Sequence, residues 1–409
     1  MIRSCFLWIK HLVYAVVVLA ILACLLEVGL RVYDSATAQV TRRELYDRGM
    51  ICKNWFVHHT LKPSRVFATK NPDSGQRVRV AVNSLGFRGP EPEIPKPRGT
   101  IRIVCLGDDA TLAANVPEAE TFCVQLRLAL TARLGRQVEV INAGVPDYCP
   151  LLSCLQFRHE LLALDPDLVI LNFDTSDVAD DYQVRRHAVL SRDGAPLNCA
   201  HPALEMPRNG KAARESVVLF PQFARQKINE LLADKTLGEK SRSIESPRCR
   251  YLWLEDAPPD WSVYIDQTLS PLRHLDDLAR SRGVKLLVAA APAPWQISAQ
   301  ASNGDGVREQ AGVGKDACLK SRRPFETIAQ YCRTNQIPFC DVSVVFANDG
   351  QPERLFLKNA AAFSADGHAL YAKELAAFVM QQAPAAVGAP DASGYSSPAP
   401  QAGLTPDRK

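Results

Sequence analysis

Along the middle of this chain, short apolar runs alternate with longer stretches of helical periodicity. The runs are residues 101–106 (IRIVCL), 138–142 (VEVIN), 168–173 (LVILNF), 284–291 (VKLLVAAA) and 337–341 (IPFCD). Each is short and mostly apolar, as strands buried on both faces are. Between them, residues 120–134, 151–164, 261–282 and 324–334 repeat apolar positions at helical spacing. Strand and helix in alternation predict an α/β fold, a parallel sheet covered on both faces in three α/β/α layers.

More polar sequence precedes this region. Residues 77–82 (RVRVAV) alternate strictly and predict a strand, residues 83–90 (NSLGFRGP) predict a turn, and a Pro-rich connector follows at 90–97. Residues 35–99 therefore read as an N-terminal extension packed on the main domain, with a free linker as the alternative. Inside the main domain, residues 100–382, the rhythm breaks at about 185–259, where charge, Pro and Gly surround a helical stretch at 217–232. Ligands of such sheets bind beyond the carboxyl ends of the strands, so this insertion covers that face or is a plain surface excursion. Residues 383–409 are rich in Ala, Pro, Gly and Ser and predict a disordered tail.

The N-terminus follows another rule. Residues 12–26 (LVYAVVVLAILACLL) carry no charge, and counting on to residue 30 past Glu27 approaches the ~20 residues of a bilayer-crossing helix. Arg3, Lys10 and His11 come first, which favours a cytoplasmic stub, a transmembrane anchor within residues 1–34 and a main domain outside, at the periplasm or cell surface. Arg31, Arg42 and Arg43 weigh against that orientation, and Ala36-Thr37-Ala38 is the cleavage site of the signal-peptide alternative. A net charge of +4 on 409 residues, with no basic block interleaved with aromatics, excludes nucleic acid as the expected partner. Twelve cysteines contain no C-x-x-C pair; Cys149 with Cys154, or Cys199 with Cys249, are the candidate disulfides of an exported domain.

Five blocks then line up with one family: residues 83–89 (NSLGFRG), 101–111 (IRIVCLGDDAT), 138–146 (VEVINAGVP), 165–177 (DPDLVILNFDTSD) and 367–379 (GHALYAKELAAFV). In order and spacing they resemble membrane-anchored members of the SGNH or GDSL hydrolase family. The resemblance implies a flavodoxin-like parallel sheet over residues 100–382, an active site at its strand ends, and relatives that hydrolyse esters or transfer acyl groups on lipids and sugars. It also implies a Ser nucleophile after the first strand, a Gly amide and an Asn side chain in the oxyanion hole, and a late Asp and His.

Matched residue by residue, most of that machinery is substituted. Gly107-Asp108-Asp109-Ala110-Thr111 stands where the family has Gly-Asp-Ser-x-Thr, so Asp109 takes the nucleophile's place. Gly144 keeps the oxyanion Gly, Ser176 replaces the oxyanion Asn, and Asp174 replaces the Gly ahead of it. Aligned on Phe363-Ser364 and Gly367-His368, the late block has Ala360, Ala361 and Ala362 where Asp, Gly and His would stand. A competing register takes Asp366 and His368 as the acid and base.

The resemblance therefore implies a scaffold inactive as a Ser esterase and kept for binding or scaffolding in envelope carbohydrate or lipid handling. The alternative is an ester hydrolase or acyltransferase using Asp109 with Asp366 and His368. No cofactor is implied; the expected partners are the membrane and an envelope glycan or lipid. Asp108, Asp109, Asp174 and Asp177 are candidate ligands for a hard divalent cation. The competing account gives Asp108 and Asp177 structural turn bonds and leaves Asp180 and Asp181 solvated. The histidines, among them His58, His59, His187 and His201, show no ligand spacing. Trp253, Trp261 and Trp295 are candidates for a sugar-binding face or for packing.

Overall fold

In the computed structural model the described residues are 10–11, 13–18, 21–29, 49–204, 244, 250–384 and 386–387. The helix expected at 217–232 and most of the tail expected at 383–409 lie outside them; Ala383 and Val387 of that tail are described and are buried in the core. Residues 10–11, 13–18 and 21–29 are helical, yet no helix among the described residues is long and apolar enough to cross a membrane. Leu12, Leu19 and Ala20 of the expected anchor are not among the described residues.

The extension begins with two antiparallel pairs: β1 (Ile51–Lys53) with β2 (His59–Leu61), and β3 (Arg65–Lys70) with β4 (Arg77–Val82). Alternation in β4 turns Val78, Val80 and Val82 inward, where they pack with Val57, Leu61, Leu112, Val145, Tyr148 and Leu151. The extension thus lies on the main domain.

Five parallel strands form the central sheet: β5 (Ile101–Leu106), β6 (Val138–Asn142), β7 (Leu168–Phe173), β10 (Lys285–Ala290) and β11 (Phe339–Asp341). The remaining two strands, β8 (Ala188–Leu190) and β9 (Pro196–Cys199), pair with each other in a separate hairpin. Across the sheet the order is β11-β10-β7-β5-β6, which in chain order of these five is the flavodoxin-like 2-1-3-4-5. Val104, Leu106, Val169 and Leu171 point to one face; Ile103, Cys105, Leu168 and Ile170 point to the other.

Helices cover both faces. Among the described residues they include α1 (Asp109–Leu112), α2 (Phe122–Leu134), α3 (Pro150–Gln156), α4 (Asp177–Arg185), α5 (Ser262–Arg280), α6 (Pro294–Ile297), α7 (Val307–Gln310), α8 (Arg323–Thr334), α9 (Ser343–Ala347) and α10 (Ala365–Gln382). On the first face Leu269, Leu272 and Leu275 of α5 and Ile328 of α8 meet the strands. On the second, Leu126 and Leu130 of α2 meet Leu375 and Val379 of α10. Cys149 and Cys154, expected as a pair, are separate buried thiols around the start of α3, and Cys249 lies outside the described residues. The carboxyl ends of β5, β6 and β7 are left to carry the site.

Candidate functional site

The turn from β5 into α1 has to be glycine at its first position. Gly107 has φ +149°, and a Cβ there would lie 2.3 Å from Thr111 Oγ1. Asp108 then caps α1, its Oδ1 accepting from the Ala110 amide at 2.9 Å. Asp109 follows as the first helical residue and is open to solvent beyond the carboxyl end of β5. The turn has kept its shape and presents a carboxylate.

What faces Asp109 is a cluster of charge. Desolvation by the protein packed around it, then Asp147, push its carboxyl up to about 7 although its side chain reaches solvent, while Arg250 and the Asp147 amide pull the other way. Arg250 Nη2 donates to Asp180 Oδ2 and, at 3.3 Å, to Asp147 Oδ1. Burial raises Asp180 to about 6 against the pull of Arg250. Burial alone would lower Arg250, but Asp180, Tyr251 and Asp147 together outweigh it and raise the guanidinium. Asp147 follows β6, Asp180 belongs to α4, and Arg250 returns from the long excursion. One guanidinium thus lies among carboxylates from three separate segments.

Behind this layer the other acids turn inward to the backbone. Asp174 Oδ1 accepts from the Ser176 amide at 2.7 Å, and Asp177 Oδ2 accepts from the Asp174 amide at 3.2 Å. Burial, then their carboxylate neighbours, hold Asp108 and Asp177 well above the usual carboxylate range. Asp180 and Asp181 are not solvated as the turn-bond account had it. They are 2% and 1% exposed, and Asp181 binds Arg185 Nε at 2.5 Å. Among the described residues no group of three or more His, Cys, Asp or Glu is placed to hold a metal ion.

The oxyanion positions are spoken for. A Cβ on Gly144 would meet the Leu112 amide nitrogen at 2.2 Å, so only glycine fits against α1. Its own N–H donates to Asn142 Oδ1 at 3.0 Å, and Asn142 Nδ2 donates to the Thr111 carbonyl at 2.8 Å. Ser176 is buried at the start of α4 and its side chain makes no cap bond.

The late block places its two candidates apart. Asp366 is on the surface, paired with Arg354 Nη1 at 2.9 Å. His368 is buried, its ring 6.1 Å from Phe122 and 5.6 Å from Phe363, and its Nδ1 has no hydrogen-bond partner among the described residues. Burial, then Arg88, lower its pKa to about 3, so the imidazole is neutral. Among the described residues neither group hydrogen-bonds Asp109. The Ala360–Ala362 loop is pinned by Ser302 Oγ, which donates to the Ala360 carbonyl at 2.8 Å, and by the Leu357 amide, which donates to the Ala362 carbonyl at 2.8 Å.

Beside the charged cluster opens a cavity of about 1000 Å³. Tyr182, Tyr251 and Trp295 give it aromatic walls, Arg186 and Arg250 give it cations, and Gln183, Gln310 and Asn359 give it amides. Ala360 and Ala361 complete its rim. Trp253 does not line it; its Nε1 donates to the Thr175 carbonyl at 2.7 Å in the core, and Trp261 is buried with it. Arg250, Tyr251 and Asp147 belong to no local motif, so the sequence carried no signal for them. Nor did spacing reveal that the rings of His58, His59, His187 and His201 meet. His58 lies 5.0, 6.4 and 4.6 Å from the other three in turn.

Sheet order, the glycine turn at 107 and the close-packed Gly144 reproduce the scaffold that the sequence blocks imply. The sheet is flavodoxin-like, as the resemblance to SGNH/GDSL hydrolases implies. No protein-family model and no curated protein matches the chain. Among solved structures, it is similar to a lipase/acylhydrolase from Enterococcus faecalis, at 13% identity and TM-score 0.38, covering 69% of this chain and 96% of that one. A GDSL-like lipase from Bacteroides thetaiotaomicron matches at 14% identity and TM-score 0.34, over 68% and 88% of the two chains. A catalytic mutant of an acetylxylan esterase from Geobacillus stearothermophilus matches at 12% identity and TM-score 0.36, over 68% and 94%. Likenesses at this level say nothing of chemistry, which the chain's own residues decide.

Proposed function

We propose that this protein has no Ser-esterase activity and works by binding or scaffolding, held to a membrane by its N-terminal apolar segment and acting in envelope carbohydrate or lipid handling. One observation carries the proposal: the nucleophile's position holds Asp109, and it faces Arg250, Asp147 and Asp180 where hydrolysis needs an imidazole. An oxyanion forming there would meet like charge. At an effective dielectric of about 20, two unit charges about 4 Å apart repel by about 4 kcal/mol. Attack by Asp109 itself would leave an anhydride, and among the described residues no imidazole stands beside it to drive water in. The acid–base alternative needs His368 within reach of Asp109, and His368 packs between Phe122 and Phe363.

The aromatic and amide lining of the cavity suits a ligand with both hydroxyl and apolar faces, which envelope glycans and lipids share. Membrane attachment is supported by the uncharged residues 12–26 and the basic residues ahead of them. Purified full-length protein is expected to hydrolyse p-nitrophenyl acetate no faster than buffer. An enzyme-like rate that Asp109→Ala abolishes would overturn the proposal.

A further inference from the structure

A second surface lies on the N-terminal hairpin. The connection between β1 and β2 carries Trp55 and Phe56, which are 54% and 55% exposed. Their backbone is firmly held. The Cys199 amide donates to the Phe56 carbonyl at 2.8 Å, the His58 amide to the Cys199 carbonyl at 2.6 Å, and the His201 amide to the Asn54 carbonyl at 3.0 Å. Asn54 Oδ1 accepts from the Phe56 amide at 2.7 Å, and His59 Nε2 donates to the Pro146 carbonyl at 2.7 Å. The two large aromatics are thus displayed on a built platform.

Neighbouring residues extend the patch. The Phe56 ring is 5.3 Å from that of His159, whose Nε2 donates to the Leu197 carbonyl at 2.9 Å. Leu197 is 40% exposed, and Val189 on the same β8–β9 hairpin is 51% exposed. Apolar and aromatic side chains gathered this way on a surface mark a site of contact.

Three features favour a bilayer as the occupant. The uncharged run at 12–26 lies in the same chain, and the chain that follows it enters the domain at this hairpin, β1 beginning at Ile51. The patch therefore sits where the tether meets the domain. Trp suits the headgroup layer, where an apolar ring body and a wet edge are both accommodated, and Phe adds apolar area that sinks below it. Lys53, exposed on β1, adds a cation that complements anionic headgroups.

We infer that Trp55, Phe56 and Leu197 form an interfacial contact that seats the domain on the lipid surface beside its own anchor. The inference rests on the anchor reading given above. It also bears on the ligand: Arg186 of the cavity wall is two residues ahead of Ala188, where β8 begins, so a seated domain holds its cavity near the headgroups. A lipid or lipid-linked ligand then has the shortest route in.

The test uses the full-length Trp8→Phe protein in phosphatidylcholine/phosphatidylglycerol vesicles whose acyl chains are brominated near the headgroup. The remaining tryptophans are Trp55 and the buried Trp253, Trp261 and Trp295. Brominated lipid is expected to quench the emission, and Trp55→Phe in the same background is expected to abolish that quenching. An alkaline carbonate wash of the vesicles reports the anchor separately. Protein that washes off overturns the anchor and the inference with it; protein that stays while Trp55 is unquenched overturns the inference alone.

Discussion

Asp109 is held at the mouth of the site in a form that resists ionisation. Its carboxyl, normally near 3.8, is raised to about 7, desolvation by the surrounding protein leading and Asp147 second. The folded chain therefore holds that proton more tightly than the unfolded chain does. Stability drawn from this group is lost as pH rises from about 4 to about 7, and above that the full penalty for the charged form applies. Below about 4 both states are protonated and the group has no effect. Asp109→Asn removes the ionisable group without changing its shape. The thermal midpoint of the variant is expected to exceed that of the parent at pH 8 and to match it near pH 4. An equal gain at both values would mean that ionisation of Asp109 is not the cause. Solvent reaches Asp109, so screening keeps the gain modest.

At the scale of elements, the turn that carries Asp109 is gripped from the extension. Arg88 is buried, and its Nη1 donates to the Leu112 and Ala113 carbonyls at 2.7 and 2.5 Å while Nη2 donates to the Val116 carbonyl at 2.8 Å. It therefore closes the carbonyl end of α1. Arg88→Ala leaves those carbonyls without a donor and is expected to lower unfolding stability by about 2–4 kcal/mol in a denaturant titration. A loss under about 1 kcal/mol would show that water replaces the guanidinium freely. The block NSLGFRG was visible in the sequence, but this grip was not, because nothing local pairs Arg88 with carbonyls 24 to 28 residues on. The same limit explains the other omissions. β5, β6 and β7 were legible because they are short, mostly apolar runs, whereas β1, β2 and β8 are three residues long and carry too little periodicity to register. Asp109 was legible as a wrong letter in a local turn. Arg250 reaches Asp147 across 103 residues of sequence, and only the folded path brings them together.

At the scale of the whole molecule, the proposed reading implies that placing a hydroxyl at one position would not produce hydrolysis. Ester cleavage of the kind that the sequence resemblance implies would need contributions from four places, and on the reading proposed above none of them supplies its part. After β5 stands a carboxylate, and after β6 the Gly144 amide is taken by Asn142. After β7 Ser176 lies buried, and the loop before α10 offers Ala360 and Ala361 to the cavity rim. A hydroxyl at position 109 would gain a place at the head of α1 but no base among the described residues hydrogen-bonded to that position, since His368 packs face-on against Phe122 and edge-on against Phe363 and its pKa is lowered to about 3. It would also still face Asp147, Asp180 and Arg250, whose net charge opposes an oxyanion. Asp109→Ser is therefore expected to leave p-nitrophenyl acetate hydrolysis at the buffer rate and to form no covalent adduct with a fluorophosphonate probe. Labelling of that variant at the substituted position would show that the site can activate a hydroxyl without an imidazole, and the scaffold would then stand one substitution from an enzyme. The absence of both signals, in a variant that melts as sharply as its parent, is what the proposed reading of a site centred on Arg250 requires.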